Sequence, residues 1–269
     1  MTIATEIPDA SPREEIRIPS IFLWRLLSVI LVFLAWEIAG RVPISIAFPT
    51  FLETMTALWE MTLDGRMLKA YTDTIKPLAI GVGMAAVFGV IFGIVMGLNR
   101  RFQWIGEPIF VVMQAAPMAA LIPLVTFVYG IGIAAKVVAV VILAAPIIVL
   151  NSFKAVRNSN VSLIQMCQSF QGTRFQQIVK VIFPDASPMI FAGLRLGVAA
   201  GFIGVILAEL LITPTGIGDL ITYHRSVAEY AEMYAAIFSI IVFAAVTVGL
   251  LEKAEVVFFR PERKQRKDT

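Results

Sequence analysis

Long apolar runs alternate with shorter polar segments along the chain and predict six membrane-spanning helices. A helix needs roughly 20 apolar residues to cross a bilayer. Six stretches approach or exceed this length, at residues 21–40, 74–98, 108–129, 134–153, 189–212 and 233–251. A mixed pattern at residues 50–61 predicts one short amphipathic helix outside the membrane. The hydropathy pattern therefore predicts an all-α membrane protein whose two ends lie on the same side.

The composition supports this class and sets the domain limits. The chain of 269 residues is 58% hydrophobic and only 15% charged, whereas soluble domains carry about 25% charged residues. Residues 1–19 carry three prolines among charges and predict a loosely ordered tail without a cleavable signal. Residues 20–255 form the predicted membrane domain, and residues 256–269 form a basic tail that fits anionic lipid better than nucleic acid.

The third predicted span is interrupted by Pro117 and Pro123. Broken helices at membrane depth are tolerated where protein or a cavity covers them. This segment, the end of span four and the acidic residue of span five are therefore candidates for a translocation pathway, although the prolines could instead only kink a packed helix. The pathway candidates are Gln114, Pro117, Met118, Thr126, Asn151 and Glu209.

Span five carries two charges, which are costly in a membrane. Arg195 lies near the polar segment before the span and is predicted to reach the membrane interface. Glu209, near the opposite end, has two open interpretations: a gate or ligand residue in an outer vestibule, or a helix-end carboxylate bonded to the Gly216–Gly218 turn. The single histidine, His224, is predicted to pack at the surface, and no metal site is predicted.

Span two contains glycines at four-residue spacing. Gly89, Gly93 and Gly97 form two small-xxx-small pairs, which allow helices to approach closely. Helix packing is therefore the predicted role of these glycines, rather than contact with a phosphate group.

The loop of residues 154–188 joins spans four and five and contains a polar elbow. Gly172 interrupts a polar helix, Thr173 can cap the helix that follows, and Pro184 is predicted to end that helix. Phe175 and Ile182 share its apolar face. A polar face cannot lie in lipid, so the elbow is predicted to bind a partner outside the membrane; a helix on the bilayer surface is the alternative.

The distribution of Lys and Arg predicts the orientation. Cytoplasmic loops carry an excess of these residues. The chain ends and the elbow carry most of them, whereas the opposite side mixes basic residues, including Lys136 near the start of span four, with acidic ones. Both termini and the elbow are therefore predicted to be cytoplasmic.

Several chemistries lack their sequence signatures. The chain has no Gly-Lys pair and hence no Gly-x-x-x-x-Gly-Lys phosphate loop, and it has no His-Glu-x-x-His or Gly-x-Ser-x-Gly motif. Its single cysteine, Cys167, cannot form a disulfide within the chain. Transport is favoured over an intramembrane enzyme. A transporter that does not hydrolyse ATP itself is driven either by an ion gradient or by a partner ATPase, and the elbow favours a partner ATPase.

The elbow resembles the cytoplasmic loop of ABC-importer permeases. Gly172, Ile182 and Pro184 fit that loop, whereas residues 166–168, Met-Cys-Gln, stand where the family pattern has Glu-Ala-Ala. Further segments are similar to the nitrate, sulfonate and taurine branch of these permeases. These segments are residues 122–124, 129–132, 145–146, 192–197, 208–210 and 215–221, and the resemblance covers residues 70–255.

The resemblance implies a type I ABC-importer permease fold in a bacterial inner membrane. It implies a homodimer that works with two ATPase subunits and a periplasmic or lipid-tethered solute-binding protein, and that binds no cofactor while the ATPase holds ATP and Mg. It implies a small anion such as a sulfonate, taurine or nitrate as the solute, with thiamine precursors and aromatic acids as alternatives. The implied ATPase-coupling residues are Ser169, Phe170, Gln171, Gly172, Thr173, Arg174, Phe175, Gln176 and Pro184.

Overall fold

The structure, a computed structural model, describes residues 21–42, 45, 47–212 and 214–259, and all regular elements in these ranges are helical. In chain order they are α1 (Ile21–Arg41), α2 (Phe51–Leu63), α3 (Arg66–Leu98), α4 (Arg100–Ala115), a 3₁₀ turn (Met118–Leu121), α5 (Ile122–Tyr129), α6 (Ile133–Arg157), α7 (Val161–Ser169), α8 (Arg174–Gln177), a π-helical segment (Ile178–Ile182), α9 (Phe183–Leu211), α10 (Ile217–Ser226) and α11 (Tyr230–Phe259). The predicted all-α class is confirmed.

Five helical segments of the described chain are long and apolar enough to cross a membrane. They are Leu23–Arg41, Arg66–Leu98, Ile133–Arg157, Arg174–Leu211 and Tyr230–Val257. The predicted third span, residues 108–129, is instead divided between α4 and α5. Pro117 has no N–H group with which to continue α4, whereas Pro123 lies in the first turn of α5, where proline is tolerated. The count of six spans therefore stays a prediction.

Several helices extend beyond the predicted spans. α3 begins eight residues before residue 74, α9 begins six residues before residue 189, and α11 continues beyond residue 251 to Phe259. Hydropathy detects only the part of a helix that fits the apolar core of the bilayer, so polar turns at either end escape it. The predicted basic tail thus begins within α11. The predicted N-terminal tail and residues 260–269 lie outside the described residues.

The chain divides into two units between Leu52 and Glu53. In the first unit, the Glu37 carboxylate accepts hydrogen bonds from Arg41 Nε at 2.8 Å and from the backbone N–H of Leu52 at 3.1 Å. These bonds hold the loop after α1 against the last turns of that helix.

In the second unit, α6 is the central helix and packs against α3 on one side and α9 on the other. The α3 glycines make the first contact possible. A Cβ atom on Gly93 would lie 2.5 Å from the Cβ of Ser152 and 2.6 Å from the carbonyl oxygen of Val149. A Cβ atom on Gly89 would likewise collide with the side chain of Ile148, and one on Gly97 with the side chain of Val156. The predicted packing role of this glycine series is confirmed.

We expect Gly93→Val to destabilise the folded chain, because the added side chain would push α3 away from α6. Overpacking of this kind costs about 1–3 kcal/mol. Gly83→Val is the matched control, since Gly83 lies on the same helix and a Cβ atom there would have no neighbouring atom within 4 Å. The measurement is the temperature at which each variant loses its monodisperse peak in detergent. Equal losses for the two variants would contradict the packing role.

A charge cluster joins α9 to α11. Arg195 Nη1 lies 3.2 Å from Glu252 Oε2, and its Nε lies 3.9 Å from Glu255 Oε2. The predicted interfacial arginine therefore has acidic partners on a neighbouring helix, which no pattern along the sequence identifies. These pairs help to offset the cost of placing Arg195 in a largely apolar helix.

Candidate coupling elbow and translocation cavity

The elbow begins with α7, which is capped at its first turn. The Asn160 side chain accepts a hydrogen bond from the backbone N–H of Ser162 at 2.9 Å. The backbone N–H of Asn160 in turn donates to Asp185 Oδ2 at 2.8 Å. Asp185 belongs to the first turn of α9, so this bond fixes the start of the elbow to the start of the following membrane helix.

A tight turn separates α7 from α8, as the sequence predicts. Gln171 adopts φ 54°, in the left-handed region, and the N–H of Gly172 donates to the carbonyl of Cys167 at 2.9 Å. A Cβ atom on Gly172 would lie 2.5 Å from Cys167 Sγ and 2.8 Å from that carbonyl oxygen. Glycine therefore suits this position because the chain folds back closely on itself.

The predicted cap at Thr173 is confirmed. The Thr173 hydroxyl accepts from the backbone N–H of Gln176 at 3.3 Å, and the Gln176 side chain accepts from the Thr173 N–H at 2.8 Å. This reciprocal pair is a capping box. It fixes the direction in which the short helix α8 leaves the turn.

The prediction that Pro184 ends the elbow helix is wrong. The chain stays helical from Arg174 to Leu211, and Pro184 lies in the first turn of α9. Pro184 cannot donate to the carbonyl of Lys180, and the segment Ile178–Ile182 before it is wound as a π-helix, in which the N–H of Phe183 donates to the carbonyl of Ile178. Pro184 is accommodated in the first turn of α9, after the wider π turn, and the π turn separates Pro184 from the other predicted coupling residues.

Two phenylalanine side chains of the elbow are largely exposed. Phe170 is 82% exposed and Phe175 is 74% exposed, and they flank the turn at Gly172. Exposed aromatic side chains in an otherwise polar segment are typical of a surface that contacts a partner. Ser169, Gln171, Arg174 and Gln176 are exposed beside them. The predicted coupling residues from Ser169 to Gln176 are thus all exposed except Gly172, which is half-buried at the turn.

A cavity of about 270 Å³ lies between α4, α6 and α9. Its lining is mostly apolar and includes Gln114, the only one of the predicted pathway residues among the described lining residues. The lining residues are Met113, Gln114, Ala116, Ile142, Leu143, Pro146, Ile147, Ala200, Ile203 and Leu207.

The other pathway candidates lie elsewhere. Pro117 is exposed just after α4, and Met118 begins the 3₁₀ turn. Thr126 Oγ1 donates to the carbonyl of Ile122 in its own helix at 3.4 Å. Asn151 Nδ2 donates to the carbonyl of Ile147 at 2.7 Å, and its Cβ occupies the space next to Gly193 of α9. Thr126 and Asn151 thus bond within their own helices and are not among the described residues that line the cavity.

Glu209 lies at the centre of a buried polar network. Its side chain is fully buried and accepts from Lys136 Nζ at 2.8 Å, from Thr74 Oγ1 at 2.9 Å and from the backbone N–H of Gly218 at 3.0 Å. Lys136 Nζ also donates to the carbonyl of Thr215 at 2.9 Å. The bond to Gly218 agrees with the helix-end alternative for Glu209 rather than with an open vestibule.

The network joins elements that are far apart in sequence: α3 through Thr74, α6 through Lys136, α9 through Glu209 and the turn before α10. The sequence places Lys136 near the non-cytoplasmic start of span four without a partner, and its side chain is only 2% exposed. One signal could have found the pair. A lysine and a glutamate each sit within the end of an apolar run, and such charges are stable there only when they are paired.

His224 is buried, contrary to the predicted surface position. Its Nδ1 lies 2.7 Å from Glu229 Oε2. Between them in the chain, Ala228 has φ 60° and turns the backbone so that Glu229 can reach the imidazole. Ligand atoms of His224, Glu229 and Glu232 lie within 4.8 Å of one another. The prediction is wrong because it rests on the histidine alone and not on the carboxylates that follow the turn.

The sequence of the chain matches a known protein family and several named relatives. Residues 85–253 match the model of the family described as "binding-protein-dependent transport system inner membrane component". The chain is 26% identical over 213 residues to a putative aliphatic sulfonates transport permease of Bacillus subtilis, with 78% of this chain and 76% of the relative covered. It is 23% identical over 250 residues to the formylaminopyrimidine transport permease of Halalkalibacterium halodurans, with 92% and 96% covered.

The fold is shared with a solved ABC importer. The inward-facing MetNI methionine ABC transporter includes a chain that superimposes with a TM-score of 0.57 at 18% identity, over 72% of this chain and 96% of that one. The family match covers more than half of the sequence and includes the elbow, the cavity helices α6 and α9 and the buried network from Lys136 to Gly218. The chain therefore belongs to the family of binding-protein-dependent transport-system inner membrane components, which are permease subunits of ABC importers.

Proposed function

We propose that this permease forms the membrane pathway of an ATP-driven importer for a small solute. The observation that carries the proposal is the elbow, whose phenylalanines Phe170 and Phe175 project without cover from the described chain. An apolar side chain that is buried on binding contributes about 1.5–3 kcal/mol. Two such residues on a pre-formed, capped turn provide a surface for a groove on an ATPase subunit.

The same elbow is positioned to transmit movement. The bond between Asn160 and Asp185 and the helical continuity from Arg174 to Leu211 connect it to α9. α9 lines the cavity through Ala200, Ile203 and Leu207. Closure of two ATPase subunits would move two elbows together and bias the helices around the cavity between inward-open and outward-open states. ATP and Mg would stay on the ATPase throughout.

The partners of this function follow from its requirements. The working unit is a dimer of this chain with two ATPase subunits on the elbow side, in the bacterial inner membrane. A periplasmic or lipid-tethered solute-binding protein delivers the solute on the opposite side. Both termini lie in the cytoplasm, as the distribution of Lys and Arg predicts.

The solute class is a small organic or inorganic anion, such as a sulfonate, taurine or nitrate. The name of the Bacillus subtilis relative supports a sulfonate. A second class, a thiamine precursor or an aromatic acid carried by the same mechanism, is favoured by the apolar cavity and by the name of the formylaminopyrimidine relative.

Uptake into membrane vesicles distinguishes this function from an ion-coupled secondary transporter. Vesicles that contain the chain, the ATPase encoded beside it and the solute-binding protein are expected to take up solute when ATP is present and the proton gradient is collapsed. Vesicles with an intact gradient but no ATP are expected to take up none. The reverse pattern would show that the chain works without an ATPase.

A further inference from the structure

Two carbonyl groups in the helices around the cavity between α4, α6 and α9 lack their usual helical donors. In an α-helix, the N–H of each residue donates to the carbonyl four residues earlier. Pro146 inside α6 has no N–H, so the carbonyl of Ile142 receives no such bond. Because α4 ends at Ala115, the carbonyl of Met113 is among the unpaired carbonyls of its last turn. Met113 and Ile142 both line the cavity, so two helices that border it each carry a carbonyl without its helical donor.

The remaining polar groups of the cavity also favour a solute that donates hydrogen bonds. Gln114 is exposed in the lining and carries an amide with both donor and acceptor atoms. The last turn of α4, which ends at Ala115, contributes further unpaired carbonyls and the partial negative charge of a helix C-terminus. No lysine or arginine occurs among the described lining residues, and the buried Lys136 is already paired with Glu209.

This combination of acceptors and apolar surface discriminates between solute classes. An inorganic oxyanion offers only acceptor atoms, so it would meet carbonyl oxygens and a negative helix end without a compensating cation. An organic solute can instead bury its body against Leu143, Ile147 and Ile203 while its N–H groups donate to the freed carbonyls. A volume of about 270 Å³ lies just below the range of about 300–1,000 Å³ that is typical of small-molecule sites.

We propose that this cavity is a solute-binding site for an organic molecule with an apolar or aromatic body and N–H donors, and that it does not retain inorganic oxyanions. The proposal rests on the proposed importer function and narrows its solute class. Among the solutes proposed for the importer, it selects an amine-bearing or heteroaromatic molecule over nitrate.

Protection of an engineered cysteine tests the site directly. The only native cysteine can be removed by Cys167→Ser, after which Ile203→Cys places a thiol in the cavity lining. Ile241→Cys is the matched control, because Ile203 and Ile241 are similarly exposed, at 57% and 61%, and only Ile203 lines the cavity. The rate of maleimide labelling is measured on the purified full chain with its ATPase subunits, with 2-aminopyrimidine or nitrate added at equal concentration.

We expect 2-aminopyrimidine to slow labelling of the Ile203→Cys variant several-fold, nitrate to leave the rate unchanged, and the Ile241→Cys rate to respond to neither. Adding Gln114→Leu is expected to weaken the protection by 2-aminopyrimidine, because the substitution removes the amide from the cavity lining. Protection by nitrate, or no protection by either compound, would overturn the site. Loss of the ATPase during purification would count against the importer function instead, and the labelling comparison could still be read on the chain alone.

Discussion

Glu209→Gln is expected to lower the stability of the permease by about 3–5 kcal/mol, the cost of breaking one partner of a buried ion pair. The variant would leave the Lys136 ammonium in a buried position without its counter-ion. The loss is large because the remaining charge stays out of water. The expected result is a large fall in melting temperature and in the yield of monodisperse protein in detergent.

The control for this substitution is an exposed ion pair in the same chain. Arg66 Nε lies 2.6 Å from Asp64 Oδ2, but both side chains are more than two-fifths exposed. Exposed pairs contribute about 0–1 kcal/mol, so Asp64→Asn should leave the melting temperature nearly unchanged. Combining Glu209→Gln with Lys136→Met is expected to recover part of the loss, since the double variant buries no unpaired charge. A wild-type melting temperature for Glu209→Gln alone would show that the pair has no structural role.

Phe175→Ala and Gly172→Asp are expected to abolish solute uptake while the chain still reaches the membrane. Phe175 is 74% exposed and packs little within the chain, so its loss removes contact with a partner rather than core packing. At Gly172, a larger side chain would collide with Cys167 and distort the capped turn. Uptake and ATPase rate are measured together in reconstituted vesicles, with expression followed by immunoblot.

Phe88→Ala serves as the control for the elbow variants, because Phe88 is a 55% exposed aromatic residue on α3, remote in sequence from the elbow. It should retain uptake. If Phe175→Ala and Gly172→Asp took up solute at the wild-type rate, the elbow would not be the coupling element.

Local features of the elbow could be predicted from the sequence because they depend on residues close together in the chain. Thr173 and Gln176 are three residues apart, and the turn at Gly172 closes on Cys167 only five residues earlier. Capping and turn chemistry operate over such distances. Five of the six predicted membrane helices were predictable for a similar reason, since hydropathy depends on consecutive residues.

The buried network could be predicted only in part. Glu209 and Gly218 are only nine residues apart, so a bond between the Glu209 carboxylate and this turn could be proposed from the sequence. Lys136 lies 73 residues before Glu209, and Thr74 lies 135 residues before it. Charges in apolar runs indicate that Lys136 and Glu209 need partners, but only the packing of α3, α6 and α9 against one another determines which side chains meet.

The effect of each proline on its helix was the feature least predictable from the sequence. Pro117 ends α4 as expected, but Pro146 lies inside α6, Pro188 lies inside α9 and Pro184 follows a π-helical segment. In long membrane helices, packing and local rewinding compensate for the missing N–H group. Whether a given proline breaks a helix therefore depends on tertiary surroundings that the sequence does not display.

Co-purification of the tagged chain with a candidate ATPase subunit from the same organism tests the central claim most directly. The expected result is a stable complex of two permease chains and two ATPase subunits, whose ATPase rate in lipid nanodiscs rises when the solute-binding protein is added with its solute. Recovery of the wild-type chain alone, together with gradient-driven uptake in vesicles that lack ATP, would contradict the claim.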